Sequence, residues 1–253
     1  MFNLAPVPVP DMTGRTVLVT GAGKGIGAEL VRILVARGAK VYAGVYPVEA
    51  AETLPAAAVQ IALDVINQTQ VDAAIARITA ETGRLDVLVN NAGMINPIGP
   101  LAELASDALV PAFAVNVVGV HRMAIAALPM LRASKGVIVN AGTGAATTPM
   151  EGWTVYCSTK AAMRMLTQMM AMELAPDVKT YFVGIPPTDT AMQGSIRAAG
   201  MNPIAKIPQE KLVKPAVPAS VLAWMCGPDA RAVEEIMLDV RQEFFTKMMD
   251  LPA

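Results

Sequence analysis

Seven short apolar runs punctuate this 253-residue chain, and a segment of helical length follows almost every one. The runs cover residues 16–20, 41–45, 59–63, 87–90, 137–140, 178–183 and 236–240. They do not alternate polar with apolar residues, which fits strands buried on both faces of a parallel sheet. Residues 26–37, 68–82, 107–131, 155–174 and 218–226 carry helical periodicity. Strand–helix alternation of this kind folds as a doubly wound α/β sheet with right-handed crossovers. The expectation is about seven parallel strands with helices on both faces. One domain spans residues 14–253, behind a proline-rich extension over 1–13. Residues 186–215 interrupt the alternation and are rich in proline, glycine and lysine. A loop of that length in a compact domain is often a lid or binding element.

Composition excludes several classes. Hydrophobic residues make up 54% and charged residues 16%, against an average near 25% charged, so the chain is not intrinsically disordered. A net charge of −1 and a pI of 5.9 argue against nucleic acid as partner. The mean hydropathy of +0.46 raises the question of a membrane. No uninterrupted apolar run reaches the ~18 residues of a spanning helix, so none is expected. Met1-Phe2-Asn3-Leu4-Ala5 lacks positive charge, and Pro6, Pro8 and Pro10 break any apolar core, unlike a secretory signal. Cys157, Cys226 and the single His121 have no metal-ligand spacing, and two cysteines make no disulfide framework. A cytoplasmic, reducing setting is expected. Seventeen methionines stand beside 5 Phe, 4 Tyr and 2 Trp, an apolar excess of unusual kind.

The first apolar run enters Thr20-Gly21-Ala22-Gly23-Lys24-Gly25-Ile26-Gly27 and then a helix. Such a turn lets the backbone approach a pyrophosphate, and the helix N-terminus presents free N–H groups to it. An acid at the end of the second strand would hold an adenine ribose 2′-hydroxyl. That place falls at Val45. With no carboxylate there and Lys24 in the turn, the choice leans to NADP, and NAD stays open because no arginine follows Val45.

Tyr156 and Lys160 stand four residues apart at the start of a helical stretch, so both share one face. A nearby cation favours ionised tyrosine and lowers its pKa. Such a tyrosine can exchange a proton with an alcohol oxygen while a hydride moves at carbon.

Further matches follow in order: Leu63-Asp64-Val65, Asn90-Asn91-Ala92-Gly93, Asn116-Val117-Val118-Gly119 and Thr190. With the glycine turn and Tyr156/Lys160, these resemble the short-chain dehydrogenase/reductase family, in its short single-domain branch with a Rossmann-type sheet. The resemblance runs from about residue 14 to 240. It implies an NAD(P)-dependent oxidoreductase acting on CH–OH groups. It implies Tyr156 as acid/base and Lys160 as its modulator and a nicotinamide-ribose ligand. Asn116 would break its helix and support a proton relay. Thr143, thirteen residues before Tyr156, replaces the family's substrate-orienting serine. Gly21, Gly23, Lys24, Gly25, Ile26, Gly27, Val45, Asp64, Val65, Asn91, Ala92, Gly93 and Thr190 would line the cofactor with Tyr156 and Lys160. The family's Pro-Gly after the sixth strand is Ile185-Pro186 here, so that loop is expected to follow its own path.

The resemblance also places the substrate wall at Met94, Thr143, Met150, Trp153 and Met192, within a substrate loop at 186–215. No lysine or arginine lies between Thr143 and Tyr156, and methionine suits adaptable apolar pockets. The expected substrate is a neutral, fairly hydrophobic ketone or secondary alcohol. Two readings compete. One is a β-ketoacyl-thioester reductase, for which Arg122, Arg132 and Lys135 are too scattered to form a carrier-protein patch. The other is a catalytically silent nucleotide-binding protein. Residues 107–131 and 155–174 are apolar over more surface than one sheet face covers. The family resemblance makes them a dimer interface, so a homodimer or homotetramer is expected.

Overall fold

The structure, a computed structural model, describes residues 3–46 and 51–250. The first two residues of the proline-rich extension, residues 47–50 and the last three residues lie outside them.

Among the described residues, seven parallel strands form one sheet: β1 Thr16–Val19, β2 Lys40–Val45, β3 Val59–Ala62, β4 Val87–Asn90, β5 Val137–Thr143, β6 Lys179–Ile185 and β7 Met237–Asp239. Their order is β3-β2-β1-β4-β5-β6-β7. β1 and β4 are wholly buried, as their unbroken apolar sequences require. β3, at the edge, exposes Gln60 and Ala62. Winding reverses between β1 and β4, the switch point where doubly wound sheets open a crevice at the strands' C-terminal ends.

The helices are α1 Gly25–Ala36, α2 Gln68–Thr82, α3 Val110–Phe113, α4 Val120–Ser134, α5 Thr154–Glu173, α6 Met192–Ala199, α7 Ala216–Trp224 and α8 Glu243–Thr246. α2 starts where the Asn67 side chain accepts a hydrogen bond from Gln70 N, satisfying one orphan N–H. It stops at Gly83, whose φ of +61° is left-handed. Two apolar layers sandwich the sheet. Val17, Val19, Leu30 and Leu34 belong to one, and Leu18, Leu88, Met123 and Leu131 to the other.

Three sequence expectations change. The segment 107–131 is not one helix: a π-helical turn, Ala114–Gly119, separates α3 from α4. Taken together, Ser106–Ser134 reaches the length and hydropathy of a membrane span, although it contains no uninterrupted apolar run. Met123, Ala124, Ala127 and Leu131 of α4 are buried in the sheet's apolar layer, while 33% of the span's most apolar window is buried in all. The loop 186–215 holds a helix, α6, whose Gln193 and Ile196 point inward. Val7, Val9 and Met12 of the proline-rich segment join the core, and Val7 N donates to the Ser220 hydroxyl. Proline at alternate positions leaves the intervening valines free to pack.

A polar ladder crosses the sheet centre. Asn90 Nδ2 donates to Asn140 Oδ1 at 2.9 Å, and Asn140 Nδ2 donates to the Thr167 hydroxyl at 2.9 Å. β4, β5 and α5 are thus tied directly below the crevice.

Candidate active site

The crevice is a cavity of about 740 Å³ at the switch point. One half is the glycine turn. Gly21 has φ +61°, and a Cβ there would come 2.7 Å from Ala92 Cα. A Cβ on Gly27 would collide with Gly21 O and meet Asn91 Nδ2 at 2.6 Å. Asn91 Nδ2 donates to Thr20 O and Gly21 O, which fixes the end of β4 to the turn. Gly21, Gly23, Lys24, Gly25, Ile26 and Gly27 all line the cavity. A turn stripped of side chains at a helix N-terminus is a phosphate cradle, and it fits the pyrophosphate of a nicotinamide dinucleotide. Asp64 and Val65 line the same half, with Asn91, Ala92, Gly93 and Thr190. Gly119 of the π-helical turn leaves room for Val65, whose Cγ2 would stand 2.7 Å from a Cβ there.

Val45 does not reach the cavity. It is buried at the end of β2 with Cγ1 against Gly23, where a Cβ would lie 2.9 Å away. Tyr46, the next residue, lines the wall instead. Strand alternation turns Val45 under the turn and Tyr46 away from it.

Tyr156, Thr143 and Lys160 occupy the other half. Thr143 ends β5 and its hydroxyl accepts from Ala145 N at 3.3 Å. Tyr156 and Lys160 lie one turn apart on α5 and are both buried. Burial pushes the Tyr156 phenol up to about 12; neighbouring Cys157 adds to this and a hydrogen bond with Thr143 opposes it. The sequence alone suggested the opposite shift, from the lysine. Lys160 Nζ, however, donates to Ala141 O at 3.0 Å and stands 5.9 Å from the Tyr156 ring centroid. Desolvation wins, and it also brings Lys160 down to about 8. At neutral pH, Tyr156 therefore holds its proton.

Asn116 is fully buried in the π-helical turn. Its Oδ1 accepts from Met94 N at 2.9 Å, and its Nδ2 donates to Met94 O at 2.8 Å and to the Thr159 hydroxyl at 2.9 Å. The Thr159 hydroxyl in turn donates to Tyr156 O. Asn116 thus clamps the Met94 wall and α5 together, and π-turns of this kind are frequent at functional sites.

Met94, Met150, Trp153 and Met192 line the remaining wall. Trp153 stands edge-on to Tyr156, with ring centroids 5.6 Å apart. Sequence reading missed Tyr46, Thr148 and Arg241, and held Gln193, Ile196 and Ile204 within the substrate loop without singling them out. Helical spacing from Met192 would have found Ile196. Arg241 follows β7 and is forked onto Asp239 at 2.6 Å; nothing local in the sequence places it beside Gly144, far upstream.

A doubly wound parallel sheet, a side-chain-free phosphate cradle and a buried Tyr–Lys pair at the switch point together define a dinucleotide-dependent oxidoreductase. The chain belongs to the short-chain dehydrogenases: that family's model matches residues 15–200. It is an oxidoreductase of this family acting on CH–OH donors with NAD(P). It is 33% identical to 2,3-dihydro-2,3-dihydroxybenzoate dehydrogenase of Escherichia coli, over 90% of this chain and 97% of that one. A Brucella melitensis 3-ketoacyl-(acyl-carrier-protein) reductase solved with NADH superposes with a TM-score of 0.77 at 28% identity, covering 90% and 97% of the two chains. A Burkholderia cenocepacia short-chain dehydrogenase solved with NADP gives a TM-score of 0.76 at 27% identity, covering 90% and 89%.

Proposed function

We propose that the protein reversibly transfers a hydride between NAD(P) and a neutral, fairly hydrophobic ketone or secondary alcohol. The observation that carries this reading is Tyr156 buried beside Thr143 and Lys160, in one cavity with the glycine turn. The bound dinucleotide supplies or accepts the hydride. Thr143 donates a hydrogen bond to the substrate oxygen. In reduction, Tyr156 gives its proton to that oxygen as carbon gains the hydride, and the resulting phenolate draws a proton back through Lys160 and the Asn116 turn. In oxidation the same groups run in reverse. Lys24 in the glycine turn supports NADP over NAD, a preference that the nearby Glu52 carboxylate reduces. Met94, Met150, Trp153 and Met192 support an apolar substrate body.

A β-ketoacyl thioester is the second reading, favoured by the likeness to the Brucella reductase. Exposed Val118 and Ile125, with Met165, Met169 and Met172 on α5, support a homodimer or homotetramer through this face. A monomer by light scattering at micromolar concentration would exclude that assembly.

The test is fluorescence titration with NADH and NADPH, followed by a ketone, alcohol and β-ketoacyl-thioester panel. Tyr156→Phe is expected to lose roughly 10²–10⁴ in turnover while still binding cofactor. Near-normal turnover in that variant would overturn the assignment.

A further inference from the structure

The N–H groups that open α1 are the ones a cofactor phosphate needs. One of them is already engaged. Gly25 N donates to Glu52 Oε1 at 2.8 Å. Glu52 lies in the connection after β2, seven residues beyond Val45, where family motifs give no reason to look for an acid. Its backbone N donates to Gly23 O at 2.6 Å, and Ala51 Cβ stands 3.5 Å from where a Gly23 Cβ would be. The segment therefore rests on the glycine turn itself. The other carboxylate oxygen, Oε2, accepts from Arg32 at 2.8 Å. Arg32, then the Gly25 N–H, hold the Glu52 carboxyl below the usual range, so it is charged at neutral pH. Lys24, Gly25, Glu29, Arg32 and Glu52 line one recess beside the main cavity. With Arg197 and Asp189 on its far side, three cations there face three carboxylates, and the positive field that Lys24 alone would present is offset.

We propose that Glu52 is an intramolecular competitor for cofactor phosphate, which weakens dinucleotide binding and discriminates against the 2′-phosphate. A phosphate taking the Gly25 N–H displaces the carboxylate; a phosphate taking only neighbouring N–H groups sits close to its charge. Either route costs affinity. The cost is greater for NADP, whose 2′-phosphate adds negative charge on the Lys24 side. Arg32 retains the displaced carboxylate, so Glu52 exchanges one partner and keeps the other. The inference rests on the glycine turn being the dinucleotide site.

The test compares wild type with Glu52→Gln, which keeps shape and an acceptor oxygen for Gly25 N while removing the charge. NADH and NADPH affinities are measured by fluorescence titration at low and high NaCl, with circular dichroism to verify folding. The expected result is NADPH binding tighter on the order of tenfold in Glu52→Gln at low salt, with a smaller gain for NADH. The gap between the two proteins should narrow at high salt, because surface charge effects are screened. A purely structural cap would show no such salt dependence. Unchanged or weaker affinity for both nucleotides in Glu52→Gln would overturn the role of Glu52. Absence of nucleotide binding by wild type and variant alike would instead overturn the dinucleotide site.

Discussion

Thr159 offers a sharp test of how the site is held together. It is fully buried, accepts from Asn116 Nδ2 at 2.9 Å and donates to Tyr156 O at 2.9 Å. Thr159→Val keeps the side chain's shape and removes both bonds. Each intramolecular hydrogen bond contributes a net ~0.5–1.5 kcal/mol, and a buried donor left short of a partner costs more. Asn116 Nδ2 retains Met94 O, which limits that extra cost. The sum is about 2 kcal/mol. For a chain of this size, that is roughly 4–8 °C in Tm. The measurement is urea unfolding at fixed protein concentration, since assembly would make stability concentration-dependent. Thr159→Ser, which restores the hydroxyl, should recover most of the loss. A Val variant as stable as wild type, or a Ser variant as weak as Val, would refute the clamp.

Other outcomes follow from the same geometry. Lys160 is lowered to about 8 by burial, from an ordinary 10.5. Between those values the unfolded chain binds more protons than the folded one, so stability rises with pH there. Wild type should therefore gain on Lys160→Met between about pH 8 and 10 in denaturant titrations; a pH-independent difference would contradict the shift. In Gly142→Ala the new methyl would run into the Phe182 ring. Overpacking of this kind should cost about 1–3 kcal/mol, read as an earlier unfolding midpoint. Asn202 Nδ2 donates to Glu151 O at 3.0 Å, fastening the substrate loop to the segment before Trp153. Asn202→Ala should raise KM more than it lowers kcat in steady-state assays.

Local rules made the strands, α1, α2 and α5 legible, because each depends on the period of its apolar residues. The Tyr156, Lys160, Asn116 and glycine-turn positions were legible as motifs. The direction of the Tyr156 shift was not. It depends on how far Lys160 reaches toward Ala141 O and how deeply α5 is buried, neither of which spacing encodes. Arg241 and Glu52 were hidden for a related reason. Each meets the site through tertiary packing, Arg241 from beyond β7 and Glu52 from a connection whose sequence carries no periodic signal. The break at Ala114–Gly119 was foreshadowed by Asn116, but its π-helical form is a tertiary outcome of clamping Met94.

The Tyr156 side of the cavity and part of its apolar wall ride on different carriers. Thr143, Tyr156 and Lys160 sit on β5 and α5, braced from beneath by the Asn90–Asn140–Thr167 ladder. Met192, Gln193, Ile196 and Ile204 arrive on a strap whose base is joined by the Thr188–Val213 bridge. The two meet where Ile196 of the strap packs with Trp153 and Tyr156. The wall is thus divided: Met192, Gln193, Ile196 and Ile204 belong to the strap, whereas Met94, Met150 and Trp153 belong to the braced frame.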